Sequence, residues 1–180
     1  LAGSGIQTSA LAFGGDIAGP IVANTELWNG SIWSNEMRMN TAVNQLAGSG
    51  SSTAALAFGG NTPPITALTQ EFNAGVSVGA WVTEATLNTA RKQISAAGSS
   101  NTSALAFGGS TPPALALTEA YNGTAWAEVN DMNTTRKGPA GGAGTATAAL
   151  SFSGQISDTP NNVGVQTEIW NGYTWTEVND

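Results

Sequence analysis

The sequence predicts an all-β fold, a β-propeller of four four-stranded antiparallel blades, and three observations carry the prediction. The run Ala-Leu-Ala-Phe-Gly-Gly stands at 10–15, 55–60 and 104–109, and returns as Ala-Leu-Ser-Phe-Ser-Gly at 149–154. Its phenylalanines, Phe13, Phe58, Phe107 and Phe152, lie 45, 49 and 45 residues apart, and Trp33, Trp81, Trp126 and Trp175 keep time with them at intervals of 48, 45 and 49. Within each repeat, residues are small early and aromatic late, which suits sheets that crowd at a central axis and splay at the rim. A period of this length marks a stacked or circular array of one supersecondary unit. The expected blades are 1–45, 46–93, 94–138 and 139–180, within a single domain.

The repeat at 94–138 justifies each element in turn. A small-residue strand at 94–98 is followed by a polar hairpin at 99–102 and a second strand at 103–107. That strand sets Leu105 and Phe107 on one face and Ala104 and Ala106 on the other. A strand apolar on both faces is expected to be buried on both, between neighbouring sheets. Gly108 and Gly109 end it, a pair suited to positive φ, and Pro112 and Pro113 mark a loop outside the ladder. A third strand is expected at 116–121. Asn122-Gly123 then signals a two-residue type I′ hairpin, and a fourth strand runs from Trp126 to Val129. Asn-Gly, Pro-Pro and Gly-Gly punctuation excludes a helical repeat.

Composition narrows the chemistry. The 180 residues contain neither cysteine nor histidine, so thiolate nucleophiles, imidazole bases, disulfides and the commonest zinc ligands are all excluded. Only 9% of residues are charged, and a net charge of −7 with five basic residues argues against nucleic acid or an anionic membrane as partner. There is no run of 18 apolar residues and no charged-then-apolar leader, so neither a membrane span nor a signal peptide is expected. Met132-Asn133-Thr134-Thr135-Arg136 shows what would fall due after the last repeat, and the chain is expected to be four units of a longer polypeptide.

These residues resemble the kelch repeat of β-propellers: a strand closing on a double glycine, an aromatic and a Trp close together, and an Arg at the threshold of the next repeat. The matching sets are Gly14 and Gly15 with Trp28 and Trp33; Gly59 and Gly60 with Phe72, Trp81 and Arg91; Gly108 and Gly109 with Tyr121, Trp126 and Arg136; and Gly154 with Trp170 and Trp175. The five-residue step from Tyr121 to Trp126 is tighter than in kelch units generally, Ser153 replaces a glycine, and the second repeat carries an insertion around 75–79. Kelch propellers usually have six or seven blades, so the alternative to a four-blade ring is four blades of a larger ring or repeat assembly. The phrasing is also similar to kelch-like arrays in tailed-phage and marine bacterial surface proteins.

Trp33, Trp81, Trp126 and Trp175 are expected in the wedges between blades, with Gly14, Gly15, Gly59, Gly60, Gly108 and Gly109 as structural turns. Trp28 and Trp170, aligned with Phe72 and Tyr121, are expected in the core rather than as sugar-stacking platforms. Glu26, Glu119 and Glu168 recur once per repeat, with Gln70 in the same place. That suits hydrogen bonds to loop amides better than paired-carboxylate glycoside hydrolysis. A sialidase-like turn at 171–175 lacks its Ser-x-Asp and an arginine triad. Arg91 and Arg136 are expected to pair with a neighbouring blade. Asp16 and Asp158 lie outside any Asp-x-Asp-x-Asp-Gly loop, so no metal and no cofactor is assigned.

The connections between second and third strands vary most in length and sequence, and variable loops on a rigid scaffold are where binding resides. The candidate ligand-binding residues are Asp16, Asn61, Thr62, Pro63, Ser110, Thr111, Pro112, Gln155 and Asp158. The expected function is non-enzymatic: an extracellular or virion-surface module, such as a tail-fibre or appendage component, contacting a host glycan or protein receptor. The alternative is a structural building block that contacts copies of itself, and a carbohydrate-active enzyme ranks last.

Overall fold

The computed structural model describes residues 1–75, 79–138, 141–159 and 162–178. It is all-β, with four antiparallel sheets of four strands each, arranged as a four-blade propeller. Blade 1 comprises β1 (Ala2–Ile6), β2 (Ser9–Phe13), β3 (Thr25–Trp28) and β4 (Trp33–Glu36). Blade 2 comprises β5 (Ala47–Gly50), β6 (Ala54–Phe58), β7 (Thr69–Asn73) and β8 (Ala80–Glu84). Blade 3 comprises β9 (Ser95–Ser100), β10 (Ser103–Phe107), β11 (Thr118–Tyr121) and β12 (Trp126–Val129). Blade 4 comprises β13 (Gly141–Thr145), β14 (Ala148–Phe152), β15 (Thr167–Trp170) and β16 (Trp175–Val178). Every sheet is a meander in chain order. The insertion expected around 75–79 lies largely outside the described residues.

Where the blades meet, the innermost strands carry Gly, Ala and Ser, because nothing larger fits there. A Cβ on Gly48 would lie 2.7 Å from the Gly3 carbonyl oxygen, and one on Gly142 only 2.5 Å from that of Ala96. β1 packs on β5, β5 on β9 and β9 on β13, and residues of all four strands line one central hollow of about 220 Å³. The blades therefore turn about an axis and do not extend in a line.

Two details of the expected repeat are corrected. The first strand of blade 3 runs on to Ser100, so the hairpin narrows to Asn101 and Thr102. The Asn-Gly signal does not make a two-residue hairpin. Tyr121 pairs directly with Trp126 across the four residues 122–125, and Asn122 Oδ1 accepts from the amides of Thr124 and Ala125, at 3.0 and 2.9 Å. Asn29 and Asn171 close the matching turns of blades 1 and 4 in the same way. The asparagine serves as an acceptor that folds the loop back on itself, and the glycine after it supplies the positive φ, 91° at Gly123.

The second strand of each blade records what lies on either side of it. In blades 2 and 3 both faces are sealed: Ala55, Leu56, Ala57 and Phe58 are buried, as are Ala104, Leu105, Ala106 and Phe107. In blade 1 Leu11 and Phe13 are buried while Ala10 and Ala12 are only partly covered. Blade 4 reverses this, with Ala149 and Ser151 buried and Leu150 and Phe152 38% and 43% exposed. Blade n thus offers its Leu/Phe face to the alanine face of blade n+1. Among the described residues β13 and β1 share no packing comparable to that between the other inner strands, so a seam stays open between blades 4 and 1.

Candidate functional site

Three sealed junctions between blades repeat one arrangement. The Trp at the start of each outer strand stacks on the aromatic of its own third strand and on the Phe of the preceding blade. The centroid distances to that Phe are 5.1 Å for Trp81 and Phe13, 4.8 Å for Trp126 and Phe58, and 4.9 Å for Trp175 and Phe107. Each indole Nε1 donates to the first Thr of the preceding third strand, Thr25, Thr69 and Thr118, at 3.1, 3.0 and 3.0 Å. A buried indole so placed fills the wedge and satisfies its one polar atom.

The segment joining consecutive blades clips the junction from the side. Asn88 and Asn133 each give the backbone amide and side-chain Nδ2 to Glu119 and Glu168 of the following blade, at 2.7 and 2.9 Å, and Thr89 and Thr134 add a second amide. The same Nδ2 reaches the carbonyl of Trp126 or Trp175, and Asn40 does so for Trp81. Arg91 pairs with Glu119 while its guanidinium donates to the Gly108 and Ala106 carbonyls. Arg136 pairs with Glu168 at 3.1 Å and donates to Ser153 O. At the first junction Val43 stands where the arginines stand and Gln70 where the glutamates stand, with Gln70 exchanging hydrogen bonds with the Thr41 backbone. Charge is thus removed from both partners together. The asparagines were missed as functional positions, although their fixed place before Thr in the linking segments was the available signal.

The double glycine receives the same clip. The amides of Gly15, Gly60 and Gly109 donate to the carbonyls of Val43, Arg91 and Arg136 at 2.8, 2.8 and 2.7 Å. A Cβ on the preceding Gly14, Gly59 or Gly108 would stand 2.6 Å from that same oxygen. The first glycine is required by this close approach and by a φ near +65°, the second by its own φ near +100°.

The expected wedge position holds for three tryptophans and is corrected for the fourth. Trp81, Trp126 and Trp175 are each 5% exposed, whereas Trp33 is 51% exposed, because its wedge would be completed by a blade preceding blade 1. Trp170 is buried, and Trp28 is half-buried, held by its indole N–H to the Gln7 carbonyl at 2.9 Å. Glu26, expected to bind loop amides, is exposed, and among the described residues no linking segment lies beside it. It borders an open pocket of about 300 Å³ with Leu1, Gly14, Gly15 and Asp16.

The connections between second and third strands form a belt along one rim. Asn61, Ser110 and Gln155 each bridge forward within their own loop, to Ile65, Ala114 and Val163, and back to Asn44, Lys92 and Lys137 of the preceding segment. These three first positions are therefore fastened into backbone ladders. Ser110 is 1% exposed, which corrects its reading as a ligand contact. The loop tips face solvent: Asp16, Pro63, Thr111, Pro112 and Asp158 are exposed and Thr62 is partly so. Asn44 Nδ2 donates to Asp16 at 3.2 Å, and Lys137 pairs with Asp158. Among the described residues no cluster of three or more acidic side chains is placed to hold a metal ion. Elsewhere, burial pushes the Glu71 carboxyl above its ordinary range, against a hydrogen bond from Asn101 at 2.7 Å that draws it down.

Comparison with known protein families and with curated proteins finds no match for this chain.

Proposed function

We propose that this chain is a non-enzymatic binding module of an extracellular or virion surface, a kelch-like propeller that contacts a host glycan or protein receptor through its rim of loops. The observation that carries the reading is the contrast within each loop. The base, as at Asn61 and Ser110, is pinned by backbone bridges to the preceding segment, while the tip, as at Pro63 and Thr111, faces solvent; Thr-Pro-Pro recurs in the loops of blades 2 and 3, and those of blades 1 and 4 carry different sequences. Pinned bases and solvent-facing tips are how a rigid scaffold presents contact residues at low ordering cost. Polar, sparsely charged tips suit hydroxyl-rich ligands, for which one carboxylate such as Asp16 and a few hydroxyls supply the directional bonds.

A glycan array probed with the whole chain tests this reading. Binding is expected to at least one glycan class and to fall at least about tenfold when Thr62 and Thr111 are changed together to alanine, with the fold unaltered. Uniformly blank arrays, or binding indifferent to every loop tip, contradict it. The uncovered faces of blades 1 and 4 support the second reading, a building block that contacts copies of itself.

A further inference from the structure

We propose that the two faces at the open seam are the two halves of the interface that the chain builds internally, so that blade 4 of one copy docks head-to-tail on blade 1 of a second copy. The inference rests on the building-block reading and is independent of the loop-binding one. Every sealed junction needs a Leu/Phe face with a Thr on one side, and an alanine face with an outer Trp on the other. Blade 4 carries the first face uncovered at Leu150 and Phe152, and Thr167 stands in the sequence position of Thr25, Thr69 and Thr118. Blade 1 carries the second, with Ala10 and Ala12 partly covered and Trp33 51% exposed. Ile169 adds to the blade 4 face, and an apolar groove of about 330 Å³ runs between Leu150, Ile169 and Trp170.

Ser153 argues for a second copy as the occupant over a repeat joined through a linking segment. It holds the position of Gly14, Gly59 and Gly108, where a Cβ would stand 2.6 Å from the linking segment's carbonyl. The side-chain half of the interface is therefore complete at the seam, while the half that admits the linking segment is not. The contact is heterologous, joining different patches on the two copies, and it closes a ring if the rotation allows and otherwise runs on as a filament.

The test uses complementation. Trp33→Arg disables only the blade 1 face and Phe152→Arg only the blade 4 face, and both side chains are exposed, so each variant is expected to keep the wild-type circular dichroism and melting behaviour. Wild type is expected to self-associate with rising concentration by sedimentation velocity. Each variant is expected to associate at least about thirtyfold more weakly. An equimolar mixture of the two is expected to form a one-to-one dimer, because one intact junction remains. Val82→Arg, an exposed change on the outer strand of blade 2, is expected to associate as wild type does. Association that both seam variants retain overturns the head-to-tail contact and leaves the building-block reading standing. A failure of the mixture to pair has the same meaning. Wild type that stays monomeric at every concentration overturns both.

Discussion

Arg91 and Glu119 are both completely buried, and a buried ion pair is weak evidence for stability until its surroundings are counted. Here Glu119 also gathers amides from Asn88 and Thr89, and Arg91 donates to the carbonyls of Gly108, Ala106 and Thr89, so each charge is solvated by backbone groups. The first junction achieves the same packing with Val43 and Gln70. Arg91→Val alone is expected to cost about 3–5 kcal/mol by stranding a buried carboxylate, whereas Arg91→Val with Glu119→Gln is expected to recover at least about half of that loss, measured by denaturant unfolding of the full cycle. Additive losses would mean the pair is not a unit. Ser153 supplies a second residue-scale test. Its φ of 60° is that of the glycines it replaces, 66° at Gly14 and 65° at Gly108, so Ser153→Gly is expected to stabilise by about 1 kcal/mol in the same assay.

At the scale of the element, the outer strand's Trp does most of the sealing, and its worth depends on having a preceding blade. Trp126 sits between Phe58 and Tyr121 with its N–H bound to Thr69, so Trp126→Ala is expected to cost about 3–5 kcal/mol. Trp33→Ala, an identical change at the equivalent position of blade 1, is expected to cost less than about 1 kcal/mol in dilute protein. Equal losses would place both indoles in sealed wedges. The strands themselves were legible in the sequence, because the alternation of Leu and Phe with Ala fixes both the period and the demand for cover on two faces. Legible too was the pairing of the arginines, from their place at each repeat's threshold. The turn chemistry was not: Asn122-Gly123 announces a hairpin, but the five-residue step from Tyr121 to Trp126 sets its length, and that step allows four residues where a type I′ turn takes two. Ser110 misled for a related reason, since a polar residue beside two prolines looks like a loop tip until its backbone is found bridged on both sides.

Across the whole molecule, each blade contacts mainly its neighbours, so stability accumulates junction by junction and the two ends are where it runs out. That explains why sequence identity among repeats could not place Trp33. The residue type is the same in all four blades, and burial is conferred by a neighbour that three of them have. It also explains why Glu26 looks like Glu119 and Glu168 in sequence yet lies exposed, for the partner of each glutamate is contributed by the segment preceding its blade. Three wedges between blades are thus sealed and the fourth is open. Hydroxyl-radical footprinting of dilute protein tests it most directly, by reading the oxidation of each tryptophan separately. Rapid modification of Trp33 is predicted, with Trp81, Trp126 and Trp175 strongly protected; a Trp33 as protected as the other three in the monomer would show the ring closed and contradict it.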